Sequence, residues 1–275
     1  MRTSLNFENQ LTMIAQMTND SRFQVLEYDE LNGAVDVDTA FDLNIMKKSG
    51  IKLKQIRIIL NESRVKVESG ALSYMKGDIN IINKTGGLIG ISKKFISSKL
   101  TGEEMFKPTY EGSGEIFLEP SFKHYALIEL QDDEIIINDG MFLASEEEVY
   151  LEATGQKTFS AVLFGEEGLF QTKVYGSGIV ALELPVPENE VFVCRLNNDT
   201  LKIDGSFAIL RSGNIKFSVE KSATSMIGSA ASGEGFLNVY RGTGEVWLVP
   251  TKIVYDKIRE INKKDNFKRE DFYDK

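Results

Sequence analysis

Gly112-Ser113-Gly114-Glu115-Ile116-Phe117-Leu118-Glu119-Pro120 is a phrase that this chain uses three times. It returns as Gly176-Ser177-Gly178-Ile179-Val180-Ala181-Leu182-Glu183-Leu184-Pro185 and as Gly242-Thr243-Gly244-Glu245-Val246-Trp247-Leu248-Val249-Pro250. The first glycines stand 64 and 66 residues apart. Recurrence at a nearly constant period means one supersecondary unit used three times. In each phrase the apolar residues four and six places after the first glycine share one face of an extended strand: Ile116 and Leu118, Val180 and Leu182, Val246 and Leu248. Gly-x-Gly marks a bulge or a close backbone approach. Proline then ends the strand, because it has no N–H to give to a ladder.

The pattern extends upstream of each phrase. Leu60-Asn61, Leu130-Gln131 and Leu196-Asn197 each lead, nine or ten residues on, to Gly70, Gly140 and Gly205. Between them Val65 and Val67, Ile135 and Ile137, and Leu201 and Ile203 alternate as in half-buried strands. A hairpin is expected after each glycine. In the first copy Leu72 and Tyr74 would face Ile79 and Ile81 across Lys76-Gly77. In the third, Phe207 and Ile209 would face Ile215 and Phe217 across Ser212-Gly213-Asn214. The acidic run Glu146-Glu147-Glu148 would make the middle turn. Phe106, Phe170 and Phe236 each lie six residues before a Gly-x-Gly. This constant spacing marks them as buried anchors, whose truncation to Ala would cost roughly 3–5 kcal/mol.

These signals divide the chain into units of about 65 residues, near 51–120, 121–185 and 186–250, packed as one domain over 1–275 and sharing one core. The units are expected to superpose about a pseudo-threefold axis. Residues 1–21 read as an N-terminal arm, helical or disordered. In 22–50, Val37, Phe41, Leu43 and Ile45 fall on one parity, which suggests one or two further strands. The parity changes after Ile51 and Leu53, suggesting a bulge near Lys54-Gln55. After Pro250 the period becomes helical at Val254, Ile258 and Ile261, so 251–275 reads as a short helix with a charged tail.

The chain has 275 residues, 42% of them apolar, enough for a sizeable core. A net charge of −9 argues against nucleic acid as a partner, since binding to phosphates is driven by Lys and Arg. The one cysteine, Cys194, excludes an internal disulfide and reads as a buried structural thiol in a reducing, cytoplasmic setting. No apolar run is long enough to span a bilayer.

Candidate chemistry is sparse. The one histidine, His124, cannot build the several-imidazole metal site of a cupin-type barrel. A Ser/Cys-His pair using it remains open beside a plain strand-edge histidine. Gly176-x-Gly178-x-x-Ala181 meets a lenient dinucleotide fingerprint but has no following helix. Gly86-Gly87-Leu88-Ile89-Gly90-Ile91-Ser92-Lys93-Lys94 lacks the ending of a phosphate loop. Lys93, Lys94 and Lys99 form a basic spot, either solvated or in contact with an anionic partner or membrane headgroup. Asp36, Asp38 and Asp42 do not keep calcium-loop spacing. Glu103-Glu104 and Glu166-Glu167 read as turn charge. No catalytic residue, metal or cofactor is assigned.

The run from Gly86-Gly87-Leu88 through Gly102-Glu103-Glu104-Met105-Phe106 to Gly112–Pro120 resembles the hallmark stretch of the "altered inheritance of mitochondria" protein 24 family. The resemblance extends from about Phe23 to Pro250. It implies a TRAP-like fold, related to the double-stranded β-helix, and self-association as a homo-oligomer. It supplies no catalytic residue. Two functions follow as expectations. One is a non-enzymatic, self-associating scaffold or interaction module, with a protein or peripheral membrane partner. The other is a small-molecule binder or metal-independent enzyme with a cleft between units. A metabolite thermal-shift screen separates them: the first predicts no shift, and a reproducible shift with one metabolite class selects the second.

Overall fold

The computed structural model describes residues 11–82, 107–154, 171–221 and 236–261. Strands β1 (Leu11–Thr18) and β2 (Arg22–Tyr28) come first, then helix α1 (Val37–Lys48). Three strand sets follow. The first is β3 (Lys54–Val67), β4 (Leu72–Ile82) and β5 (Thr109–Leu118). The second is β6 (His124–Asn138), β7 (Phe142–Glu146), β8 (Val149–Thr154) and β9 (Gln171–Leu184). The third is β10 (Phe192–Ile203), β11 (Ala208–Ser212), β12 (Ile215–Lys221) and β13 (Phe236–Leu248). Residues 251–261 form a short helix, α2. The chain is therefore mostly β with a short C-terminal helix, as its pattern implies. The strands make one open sheet, ordered β1-β2-β3-β7-β9-β6-β11-β13-β10, with β4, β5, β8 and β12 attached beside that path.

The last strand of each set is its hub. β5 pairs antiparallel with β3 and with β4. β9 takes β6, β7 and β8, and β13 takes β10, β11 and β12, all antiparallel. The expected hairpins are absent. β7 and β8 both run antiparallel to β9, so they are successive pieces of one broken strand, as β11 and β12 are along β13. β4 passes unbroken through Lys76-Gly77. The turn-forming residues mark a bend in a strand, not a reversal of the chain.

The hub itself supplies the reason. Asn138 faces Gln171, and the Glu183 N–H donates to the Met141 carbonyl at 2.7 Å. Asn138 and Met141 are at most about 11 Å apart along the chain. In a straight strand Gln171 and Glu183 would be about 40 Å apart. β9 must therefore fold over, and Gly176 and Gly178, at φ 117° and 137°, let it do so. Gly112 and Gly114 have φ 132° and 154°, and Gly242 and Gly244 have 138° and 150°. A Cβ on Gly112, Gly176 or Gly242 would land on the carbonyl oxygen of Asp78, Glu148 or Asn214.

The middle residue of each phrase braces the corner. Ser113 and Ser177 Oγ and Thr243 Oγ1 accept the backbone N–H of Glu62, Asp132 and Asn198 at 3.0, 3.0 and 2.9 Å. Those three residues have φ of 52°, 54° and 51°. Each sits in a register shift of its long strand, at Leu60/Ser63, Gln131/Asp133 and Leu196/Asp199. Each long strand thus bends where its hub bends.

Burial gathers along the bent strands. One cluster centres on Phe23, Ile56, Ile58, Val65, Ile116 and Ile179. Another centres on Ile137, Leu151, Val180, Leu182, Leu184 and Ile209. A smaller one holds Leu196, Ile203, Ile215, Tyr240 and Val246.

Several expectations are corrected. The N-terminal arm contains β1, paired with β2. Residues 37–48 are a helix rather than strands: Asp36 caps it, accepting the Thr39 N–H at 2.8 Å. Val37, Phe41 and Ile45 lie four apart, a spacing that fits either period. The parity change near Lys54 is the start of β3, which runs in register with β2 and shows no bulge there. Phe236 is half-buried at the entrance of β13 rather than enclosed, because it opens the strand opposite Lys221. Phe106 and Phe170 lie outside the described residues.

Gly176→Ala is expected to destabilise the fold by more than about 2 kcal/mol, overpacking adding to left-handed backbone strain. Ser177→Ala is expected to cost about 1 kcal/mol, the worth of one hydrogen bond. Urea melts of the two variants check both the size and the order.

Candidate functional site

Two junctions join the strand sets, and each buries an ionisable side chain. At the first, β3 meets β7, with Val65, Lys66 and Val67 opposite Glu146, Ser145 and Ala144. Glu146 is 2% exposed. Its Oε1 accepts the Ser21 N–H at 2.7 Å, and its Oε2 accepts Asn19 Nδ2 and the Ile179 N–H, both at 2.9 Å. Both carboxylate oxygens are thus engaged, and the group ties the β1–β2 turn, β7 and β9 together. Ser21 Oγ also meets Ser63 Oγ at 2.8 Å. On the rim, Arg64 pairs with Glu111 at 2.8 Å and Glu147 at 3.3 Å.

At the second junction β6 meets β11, with Ile135, Ile136 and Ile137 opposite Ser212, Arg211 and Leu210. Arg211 is buried, and its Nη1 donates to the Ile215 carbonyl at 2.6 Å. Burial pushes its pKa down, against the nearby Tyr240 and Glu134. Burial pushes the Tyr240 phenol up to about 12, with Arg211 pulling the other way.

The residues singled out from sequence do not converge. His124 opens β6 opposite Leu184. Burial, then the charge of Lys54, lowers its pKa, while Glu190 raises it. Among the described residues it makes no hydrogen bond to a serine or cysteine. Cys194 is half-buried, not enclosed, beside the smallest cluster. The Asp36 carboxyl is committed to the α1 cap, and hydrogen bonds from the Thr39 N–H and hydroxyl hold it below the usual range. Among the described residues no three His, Cys, Asp or Glu side chains gather as a metal would require. Gly86–Lys94, Lys99, Glu103-Glu104 and Glu166-Glu167 lie outside the described residues. The sequence pattern put Glu146 in the middle hairpin turn. The one available signal was Ile179, which stands where the other phrases carry Glu115 and Glu245.

The surface is apolar in unusual places. No residue of α1 is buried, and Val37 and Phe41 are 82% and 62% exposed. On α2, Val254, Ile258 and Ile261 are exposed. Among the described residues no helix is long and apolar enough to cross a membrane.

The family profile described as mitochondrial biogenesis AIM24 matches residues 46–251. An uncharacterised protein of Streptococcus pyogenes serotype M6 is 24% identical over 191 residues, covering 67% of this chain and 75% of that protein. A structural-genomics crystal structure of a Streptococcus pyogenes protein matches with a TM-score of 0.56 and 22% identity. It covers 78% of this chain and 94% of that one.

Glu146→Ala leaves three donors without an acceptor and is expected to cost about 3 kcal/mol. Glu146→Gln keeps the volume, but with its oxygen facing Asn19 and Ile179 its NH2 must face the Ser21 N–H, so it should restore stability only in part; chemical denaturation reads both. A free tyrosine ionises near pH 10. With Tyr240 raised to about 12, its stability term is intact below pH 10 and is lost as pH rises toward about 12. Tyr240→Phe should flatten that alkaline slope in melts followed against pH.

Proposed function

This chain belongs to the AIM24 family, and from that premise we propose that it is a non-enzymatic, self-associating β-protein acting as a scaffold or interaction module. The observation that carries the reading is α1. A helix of 12 residues is marginal in water by itself. Helices in folded proteins are held by an apolar face packed on something else. Here that face stays open, with Val37 82%, Phe41 62% and Ile45 45% exposed, and no residue of the helix is buried. Exposed apolar surface of this kind marks an interaction site.

The reading takes the fold as TRAP-like: one domain of three tandem units, near 51–120, 121–185 and 186–250, about a pseudo-threefold axis. The shared corner conformation at the three Gly-x-Gly phrases supports it. The protein works in a reducing compartment such as the cytoplasm, with copies of itself as first partners. The reading assigns no catalytic residue, metal or cofactor.

Sedimentation equilibrium across a micromolar concentration series is the test. Self-association is expected, and Phe41→Ser should weaken it about tenfold or more, by the transfer free energy of one phenylalanine. A chain that stays monomeric throughout overturns the proposal. Thermal stabilisation by one class of metabolite would then favour the ligand-binding alternative.

A further inference from the structure

Twice along the sheet one strand set joins the next by the same rule. The long strand contributes the third to fifth residues after its positive-φ residue: Val65–Val67 after Glu62, and Ile135–Ile137 after Asp132. The receiving segment begins opposite the hub residue five places after the first glycine. Ala144 faces Ala181, and Leu210 faces Trp247. Applied a third time, the rule names Leu201-Lys202-Ile203, after Asn198, as the donor segment. It names Tyr74-Met75-Lys76 as the receiver, since Tyr74 faces Phe117, five places after Gly112.

Those two segments are not joined. Among the described residues β10 ends the sheet path and pairs only with β13, and β4 pairs only with β5. Exposure separates the receiving segments but not the donors, since Ile203 is buried and Leu201 half-buried within their own set. Val65, Val67, Ala144, Ser145 and Glu146 are buried at the first junction, and Ile135, Ile137 and Leu210 at the second. Tyr74 is 51% and Met75 39% exposed, and Lys76 and Lys202 are exposed. Unpaired edges of this length are ready templates for another strand.

Resting on the self-association reading above, we propose that β10 of one copy pairs antiparallel with β4 of a second copy. Leu201 lies opposite Lys76, Lys202 opposite Met75, and Ile203 opposite Tyr74. The occupant is another copy of this chain because the two edges are the complementary halves of a junction that the chain already builds twice from its own sequence. Every copy carries one of each half. The interface is heterologous, so copies add head to tail and either close into a ring or extend.

Cross-linking tests the register. In a Cys194→Ser background, Met75→Cys and Lys202→Cys are made as separate proteins. Opposed residues in an antiparallel pair have Cα atoms about 4.5–5.5 Å apart, within reach of a disulfide. Mild oxidation of the mixture should give a covalent dimer, and either protein alone should not. Without cross-linking, Met75→Glu, facing Lys202, should tighten association about twofold to fivefold, and Met75→Lys should loosen it by as much. High salt should erase both effects.

The failures are distinguishable. A wild-type chain that never associates removes this proposal together with the scaffold reading. Association that persists with no mixed disulfide and no response at Met75 removes the edge pairing alone. A chain carrying both cysteines that oxidises to a monomeric internal disulfide shows that the junction closes within one copy, which also overturns the proposal.

Discussion

Three strands of this molecule turn a corner that only glycine can turn, and the rest of the architecture follows from those corners. A strand of 14 residues such as β9 cannot run straight when its two ends are tied to residues three apart in the chain. It folds at Gly176 and Gly178, with φ 117° and 137°, and a side chain on the first would run into the carbonyl of the strand alongside. The partner strand must bend with it. It does so through one residue in the left-handed region, whose N–H is fixed by the hydroxyl between the glycines. Glycine supplies the space, and serine or threonine supplies the acceptor that makes the bend a defined structure rather than a loose one.

The bend also produces the junctions. A folded long strand leaves its second half projecting beyond its own set, where β7 or β11 of the next set pairs with it. The middle set is therefore flanked on both sides, and it departs from the common pattern where it is most enclosed. In the outer sets the fourth residue of the phrase is a glutamate held by a neighbouring arginine, Glu115 by Arg57 at 2.5 Å and Glu245 by Arg195 at 3.0 Å. In the middle set it is Ile179, fully buried, and a carboxylate arrives instead from the facing strand as Glu146. The exchange moves an acid from an exposed rim into a site where three donors await it. Burying a carboxylate is tolerable only with such partners.

What the outer sets lack is enclosure. The last set has the smallest apolar cluster, and β10 leaves Phe192 62% and Val193 43% exposed. The two helices likewise turn apolar side chains outward. A sheet that is open at β10 and along β4 and a helix, α1, with no buried residue share one physical demand, which is surface from a partner. Nothing comparable gathers polar side chains into a reactive cluster among the described residues.

The sequence by itself determined the strand-rich class, the three Gly-x-Gly bends, the proline stops and the C-terminal helix. These depend on local chemistry: glycine's freedom at positive φ, proline's missing donor, and periods of two or near four. Tertiary structure decided the rest. Lys76-Gly77 and Ser212-Gly213-Asn214 look like hairpin turns, but the neighbouring hub holds both flanks in one direction, so they become bends. Val37, Phe41 and Ile45 satisfy a strand and a helix equally, and the Asp36 cap chose the helix. Glu146 looks like one more acid in a turn. Its role comes from Asn19 and Ser21, more than a hundred residues away, and from Ile179 across the sheet. Pairing between distant segments is set by which edges the bends leave free, and no local pattern records that.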